Sequence, residues 1–318
     1  MDSTFVVGID VGGQTSKIGV VDARGTVLAQ TVIRTDTYDQ VEPYIAELAE
    51  AVNKLIRESG TEGKVRGIGV GAPNGNYYTG TIENAPNLLW GRQRVEFSKL
   101  LSEAMGGLPV ALTNDANAAA VGEMTYGAAR GMKNFIMITL GTGVGSGIVI
   151  NGEVVYGHDG FAGELGHVAA VRNNGRTCGC GKTGCLETYA SATGVARTAR
   201  EWLELTDEPS VLRSLDNIAS KDVYEAAKDG DKLALKIFEF TGKILGRSFA
   251  DFIAFSSPEA IVLFGGLARA KEVLTAPIEE AMNANVLPLW RGKVKVVYSQ
   301  LKESDAAILG ASALAWEL

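Results

Sequence analysis

Two stretches decide the fold: FVVGIDVGGQTSKIGVVDARGTVLAQ at residues 5–30 and FIMITLGTGVGSGIVINGEVVYG at residues 135–157. Each reads as an apolar strand, a glycine-rich turn, a second apolar strand, a tight turn and a third strand. The tight turn of the later copy is Asn151-Gly152, the pair best suited to the left-handed backbone of a two-residue hairpin. In the earlier copy it is Asp22-Ala23-Arg24-Gly25, where Asp can bond its own backbone and Gly tolerates positive φ. Two halves that open with the same antiparallel meander imply an internal duplication.

Outward from each meander the pattern changes to helix and strand. Tyr44, Ile45, Leu48, Val52, Leu55 and Ile56 recur at helical spacing, Gly60 and Gly63 end that helix, and 65–70 reads as a buried strand. A short strand at 110–112 leads into an alanine-rich helix over 116–126. In the second half a long helix is expected over 233–253, with Leu235, Phe238, Leu245, Phe249 and Phe252 among its apolar positions. Ser256-Ser257-Pro258 breaks it, and strands at 260–264 and 294–297 follow. Ser304-Asp305 reads as the cap of a closing helix that ends near Trp316. The fold class is α/β, in two duplicated lobes. The smaller lobe is expected at 1–113 plus 304–318, and the larger at 114–303.

Bulk properties narrow the function. The 37 acidic residues outnumber 30 Lys and Arg, for a net charge of −7, which argues against a broad nucleic-acid surface. No basic segment followed by an apolar run opens the chain, so no secretory leader is expected. The charge-free stretch 134–152 is too rich in Gly, Thr and Ser to cross a membrane. The expectation is a cytoplasmic protein without nucleic-acid or membrane partners.

The glycine turns suggest an anionic ligand. Asp10-Val11-Gly12-Gly13-Gln14-Thr15-Ser16-Lys17 lets backbone N–H groups approach a phosphate without Cβ interference. Asp10 ends a strand, where a carboxylate can hold Mg²⁺ through water. Lys17 is a possible phosphate partner or simply a solvated lysine. The second loop, 139–147, repeats the arrangement with Thr142 as hydroxyl donor and Gly143 bare. Gly265-Gly266 follows a third strand and can let a nucleotide lie against backbone. Tight hairpins alone would also explain such glycines. Neither a GxxxxGK[ST] loop nor a dinucleotide fingerprint after the first strand is present.

With these loops and the duplication, the chain resembles the sugar kinase and actin superfamily. The resemblance implies ribonuclease-H-like lobes with an interlobe cleft, and it is the resemblance that supplies ATP as the nucleotide.

The three cysteines, Cys178, Cys180 and Cys185, lie in the spacing H-x10-C-x-C-x4-C after His167. An odd, tight cluster is a poor disulfide framework. With a histidine it fits tetrahedral zinc, and Gly179, Gly181 and Gly184 supply sharp turns for a knuckle over 167–185. Four protein ligands leave no open position, so the ion would be structural. His158 has no such context.

CGCGKTGCLE at 178–187, preceded by Gly163-Glu164-Leu165-Gly166-His167, resembles the signature of the ROK family (repressors, open reading frames and kinases). The resemblance spans 10–266. It implies that Glu164, Glu187 and the metal-bound His167 hydrogen-bond sugar hydroxyls. It also bears on Asn114-Asp115, which joins a strand to a helix. Read from the residues alone, the pair is a helix cap or a site where Asp115 takes a hydroxyl proton while Asn114 orients the sugar. The family assigns it to catalysis and sugar binding. Gly75 and Asn87, in two further polar loops, are implied as sugar contacts. The family usually has Thr where this chain has Gln14, and often Pro-Gly near Asn74.

The implied activity is ATP-dependent phosphorylation of a hexose, glucose first, with N-acetylmannosamine, N-acetylglucosamine or fructose as alternatives. A non-catalytic sugar-sensing regulator is the alternative of another class. Such regulators carry an N-terminal winged helix-turn-helix, for which a first loop at Asp10 leaves no room. The resemblance further implies a homodimer or homotetramer.

Overall fold

Strand β1 (Phe5–Val11) is apolar on both faces because helices cover both. The structure, a computed structural model, describes residues 4–318, so the leader-free start expected at residues 1–3 lies outside it. In β1 successive side chains alternate in direction. Val7 and Ile9 enter a core with Tyr44, Leu48 and Val52 of α1 (Val41–Glu58). Val6 packs instead with Ile308 and Leu309 of the C-terminal helix, Glu303–Leu314. That helix rides directly on the sheet: a Cβ at Gly8 would lie 2.1 Å from the Ile308 carbonyl oxygen, and one at Gly69 1.9 Å from that of Ala311.

β1 pairs antiparallel with β2 (Thr15–Asp22), which pairs with β3 (Val27–Arg34). On its other side β1 runs parallel to β4 (Val65–Gly71). A small hairpin, β5 (Gly75–Asn76) and β6 (Thr81–Ile82), and α2 (Phe97–Ala104) precede β7 (Val110–Thr113), parallel to β4. The sheet order is β3-β2-β1-β4-β7. The next helix, α3 (Asp115–Tyr126), crosses the C-terminal helix where a Cβ at Gly122 would meet Gly310 Cα at 2.7 Å.

The second sheet repeats this plan. β8 (Phe135–Leu140), β9 (Val144–Ile150) and β10 (Glu153–Val154) form the meander, and Asn151 and Gly152 take φ of 56° and 85° at its tight turn. Helices α4 (Glu187–Ala190), α5 (Ala192–Leu205), α6 (Ser220–Lys228) and α7 (Lys232–Ser256) lead to β11 (Ala260–Phe264), parallel to β8. After α8 (Lys271–Asn285), β12 (Lys295–Tyr298) closes the order β10-β9-β8-β11-β12. The strand order thus repeats: a meander on one side, two parallel strands on the other.

By contact the chain divides into one unit of Met1–Met132, Val154–Gly163 and Gln300–Leu318, and another of Lys133–Glu153 and Glu164–Ser299. The boundary expected at 113/114 therefore moves to 132/133. The reason is the close crossing of α3 on the C-terminal helix, which no local pattern announces. The closing helix starts at Glu303 with Lys302 at its cap, so Asp305 lies inside the first turn rather than capping it. Leu235 is 40% exposed, off the buried stripe that holds Phe238, Leu245 and Phe249.

Candidate active site

Register brings the first group of residues together. Asp10 pairs with Gly71, and Gly71 with Thr113, so the carboxyl ends of β1, β4 and β7 lie side by side, where open α/β sheets place their ligands. One residue on, Asn114 caps α3, its Oδ1 accepting from the Asn117 N–H at 2.7 Å. The plain capping role is thus real, and it uses the side-chain oxygen of Asn114. Asp115 opens the helix with its Oδ1 accepting from the Ala116 N–H at 2.9 Å. Its side chain reaches solvent, yet the surrounding protein desolvates it and holds its carboxyl above the usual range. Burial also pushes Asp10 up to about 6. The charge of Asp115 adds to the shift, and Lys17, its partner across the β1–β2 ladder, offsets part of it. The Asp115 carboxylate is thus close enough to oppose the ionisation of Asp10.

The first glycine loop closes through the Gly12 N–H on the Thr15 carbonyl at 3.0 Å. A Cβ on Gly13 would lie 2.8 Å from the Asn87 carbonyl oxygen. This glycine therefore seats the loop against the second polar loop, whatever it offers a phosphate. Gln14 is exposed, and its carbonyl accepts from Thr35 N–H at 2.9 Å. Asn87 is exposed as well. Gly75 is buried, with the Thr113 carbonyl oxygen 2.5 Å from where a Cβ would stand. Asn74 holds φ of 52° and its Nδ2 donates to the Glu83 and Asn84 carbonyls, both at 3.0 Å. This left-handed Asn ties its own loop to the one at Glu83-Asn84.

The second loop is held differently. Gly141 N–H donates to the Gly143 carbonyl, and Gly145 N–H to Thr139 Oγ1 at 3.1 Å. Thr142 is exposed, and its carbonyl accepts from Thr193 Oγ1 at 2.7 Å. The Val144 N–H donates to Glu187 Oε2 at 2.9 Å, and a Cβ on Gly143 would sit 2.3 Å from that oxygen. Glu187, expected as a sugar ligand, thus lies on the glycine loop. At the end of β11, Gly265 has φ of 103° under the Leu140 carbonyl, while Gly266 has open space before it.

In the same unit, His167, Cys178, Cys180 and Cys185 bring their ligand atoms within 4.8 Å of one another. His167 Nδ1 lies 3.7 Å from Cys178 Sγ, and Cys180 Sγ lies 3.7 Å from Cys185 Sγ. A tetrahedral ion with metal–sulfur bonds of about 2.3 Å has sulfur–sulfur edges of about 3.8 Å, so this donor set fits zinc. Glu164 is exposed, immediately before the 3₁₀ turn Leu165–His167, which the Ser146 hydroxyl holds through the Leu165 N–H at 3.0 Å. Glu187 reaches toward the cluster too, with Oε1 3.8 Å from Cys178 Sγ. His158 is an exposed loop residue.

Sequence reasoning missed Arg176. Buried and stacked 4.5 Å over the Tyr189 ring, it ion-pairs with Glu201 and donates to the Thr188 carbonyl at 2.9 Å and Thr198 Oγ1 at 3.0 Å. It ties the knuckle to α4 and α5. A lone arginine before the first cysteine carries no such signal. Asn76 was also missed as an anchor: its Nδ2 donates to the Asp159 carbonyl at 2.7 Å. One unit carries Asp10, Asn87, Asn114 and Asp115; the other carries Thr142, Glu164, His167, Glu187 and the cysteines.

A model of the ROK family matches residues 6–317. The glucokinase of Halalkalibacterium halodurans is 40% identical over 293 residues, 91% of this chain and 88% of its own. A solved ROK family glucokinase from Streptomyces griseus, in complex with glucose and AMPPNP, is similar with a TM-score of 0.80 at 32% identity, over 99% of this chain and 100% of its own. A solved ROK family transcriptional regulator, a homologue of the E. coli MLC protein, has a TM-score of 0.88 at 28% identity, over 98% of this chain and 78% of its own.

Proposed function

The chain belongs to the ROK family, and from that premise we propose that it is an ATP-dependent sugar kinase that transfers the γ-phosphoryl group to a hexose hydroxyl, with glucose O6 as first acceptor and Asp115 as general base. The observation that carries this reading is the placement of Asp115: solvent-reached, at the carboxyl ends of β1, β4 and β7, beside the carboxylate of Asp10. The glucokinase likenesses support the substrate.

Transfer forms a bond between the sugar oxygen and the γ-phosphorus, breaks the bond to the bridging oxygen of ADP, and releases the hydroxyl proton. Asp115 takes that proton. Its raised pKa makes it a stronger acceptor than a free carboxylate. The family resemblance assigns Asn114, Asn87, the loop seated by Gly75, Glu164, His167 and Glu187 to orienting the sugar. Backbone at Gly12, Gly13, Gln14, Thr15, Thr142, Gly143, Gly265 and Gly266 receives the nucleotide, with Lys17 as a nearby charge. Mg²⁺, when bound, neutralises phosphate charge. Asp10 would hold it, and a carboxylate raised to about 6 beside a second acid suits a cation. A zinc ion on His167, Cys178, Cys180 and Cys185 would brace the loop bearing Glu164 without chemistry of its own.

Three thiols as metal ligands suit a reducing cytoplasm, and no helix among the described residues is long and apolar enough to cross a membrane. A homodimer or homotetramer is the assembly the family suggests. The regulator likeness shares the fold; the Asp10–Asp115 pair favours turnover over sensing. The test is ADP release from ATP-Mg²⁺ with a panel of glucose, N-acetylmannosamine, N-acetylglucosamine and fructose. ADP release with glucose fastest is the expected result. Hexose binding without turnover of any of them would leave a sensor.

A further inference from the structure

The carboxylate of Glu187 occupies backbone that a phosphate loop would offer to its ligand. Its Oε2 accepts from the Val144 N–H at 2.9 Å and stands 2.3 Å from where a Cβ of Gly143 would be. The loop beneath it is otherwise closed by its own bonds, Gly141 N–H to the Gly143 carbonyl and Gly145 N–H to Thr139 Oγ1. Val144 N–H is thus the amide of this turn that points to an acid from elsewhere in the chain, 43 residues away.

A carboxylate hydrogen-bonded to a backbone amide and a phosphate oxygen need the same donor and carry the same sign. They exclude each other at one N–H, and each raises the cost of bringing the other near. Glu187 opens the short helix α4 directly behind Cys185 and Leu186, and its Oε1 lies 3.8 Å from Cys178 Sγ, so a sugar hydroxyl would have to draw it from both contacts. A sugar hydroxyl that donates to Glu187 gives this oxygen an alternative partner.

We propose that Glu187 is a specificity-determining residue that covers the Val144 amide until an acceptor sugar engages it, so that the γ-phosphate is received only when a hexose is present. This rests on the kinase reading and on the loop at 141–145 as part of the nucleotide site. The consequence is discrimination against water. With the amide covered, ATP binds weakly and the competing reaction, water attacking the γ-phosphorus to give ADP and inorganic phosphate, is suppressed. Once the hexose draws Glu187 away, the amide completes the phosphate site beside the acceptor. The plainer role, a brace for the loop, predicts only losses on substitution.

The experiment uses the full chain with Mg²⁺. Binding of a non-hydrolysable ATP analogue is measured by calorimetry with and without glucose, for the wild type, Glu187→Gln and Glu187→Asp, alongside ADP release without sugar. In the wild type, glucose should tighten analogue binding about tenfold or more, in line with freeing one charge-blocked amide. Glu187→Gln should bind the analogue about tenfold tighter than wild type without sugar, lose most of the glucose dependence and release ADP faster in water. Glu187→Asp, one methylene too short to reach Val144, should move the same way. Analogue affinity in both variants equal to or weaker than wild type without sugar would overturn the proposal, as would wild-type binding indifferent to glucose. A wild type that phosphorylates no hexose would instead overturn the kinase reading itself.

Discussion

The two glycine loops share a strand plan and differ in where their negative charge comes from. The first, after β1, carries its own acid: Asp10 at the strand end, pushed up to about 6 with Asp115 close by. The second, after β8, has Thr139-Leu140 at that place, and Thr139 spends its hydroxyl on closing the turn. Its acid is borrowed from α4, where Glu187 lies on the Val144 amide. Duplication copied a backbone, and the charges were then distributed differently. One acid sits in the strand that leads into its loop; the other comes from a helix 43 residues on.

The sharpest way to break this comparison is to remove the acid beside the first loop. Asp115→Asn should lower kcat by about 10³-fold while glucose binding by calorimetry stays within a few-fold, since a positioned base contributes on the order of 10²–10⁴. Retention of a tenth of kcat would move the base elsewhere. Next comes the knuckle behind the second loop. Cys180→Ser should reduce bound zinc from one per chain to near none by elemental analysis and raise the KM for hexose on the order of tenfold. Unchanged metal content would remove Cys180 from the ligand set.

A smaller effect separates the loops directly. Gly13→Ala drives a Cβ into the Asn87 main chain at 2.8 Å, and Gly143→Ala drives one against the movable Glu187 side chain at 2.3 Å. Gly13→Ala should cost about 1–3 kcal/mol of stability, whereas Gly143→Ala should leave the melting temperature nearly unchanged and alter ATP affinity. Equal melting losses would erase the distinction.

A change of similar size is a gain. A carboxyl raised in the fold from 3.8 to about 6 contributes stability that is full below its unfolded pKa and lost as pH rises through the folded one. Asp10→Asn, without Mg²⁺, should therefore match wild type near pH 4 and exceed it above pH 6.5 by on the order of 1–3 kcal/mol, a few degrees in thermal melts, while turnover falls. A variant no more stable than wild type above pH 6.5 would mean that Asp10 is not strained by its surroundings.

How much was legible varied with distance along the chain. The meanders, the strand at 260–264 and the helices after β3 and β7 follow from patterns a few residues long, and the structure keeps them. The lobe boundary was misplaced because α3 is claimed by a helix that begins at residue 303, and Ser304-Asp305 resembled a cap although Lys302 occupies that place. Asn114 combined a cap and a ligand candidate in one side chain, and only its bond to the Asn117 N–H shows which atom the cap uses. Arg176 stayed invisible because its partners, Thr188, Thr198 and Glu201, lie on helices beyond the last cysteine.

By itself the chain of residues determined the duplication, the turn chemistry and the metal-ligand spacing, because each is a relation between near neighbours governed by backbone sterics or by the number of donors an ion requires. The folded arrangement alone decided that Asp115 opposes the ionisation of Asp10, that Gly13 makes room for Asn87, and that Glu187 sits on an amide of the second loop. These depend on which atoms come within a few ångströms and how much water they lose, and neither quantity is written in the order of residues.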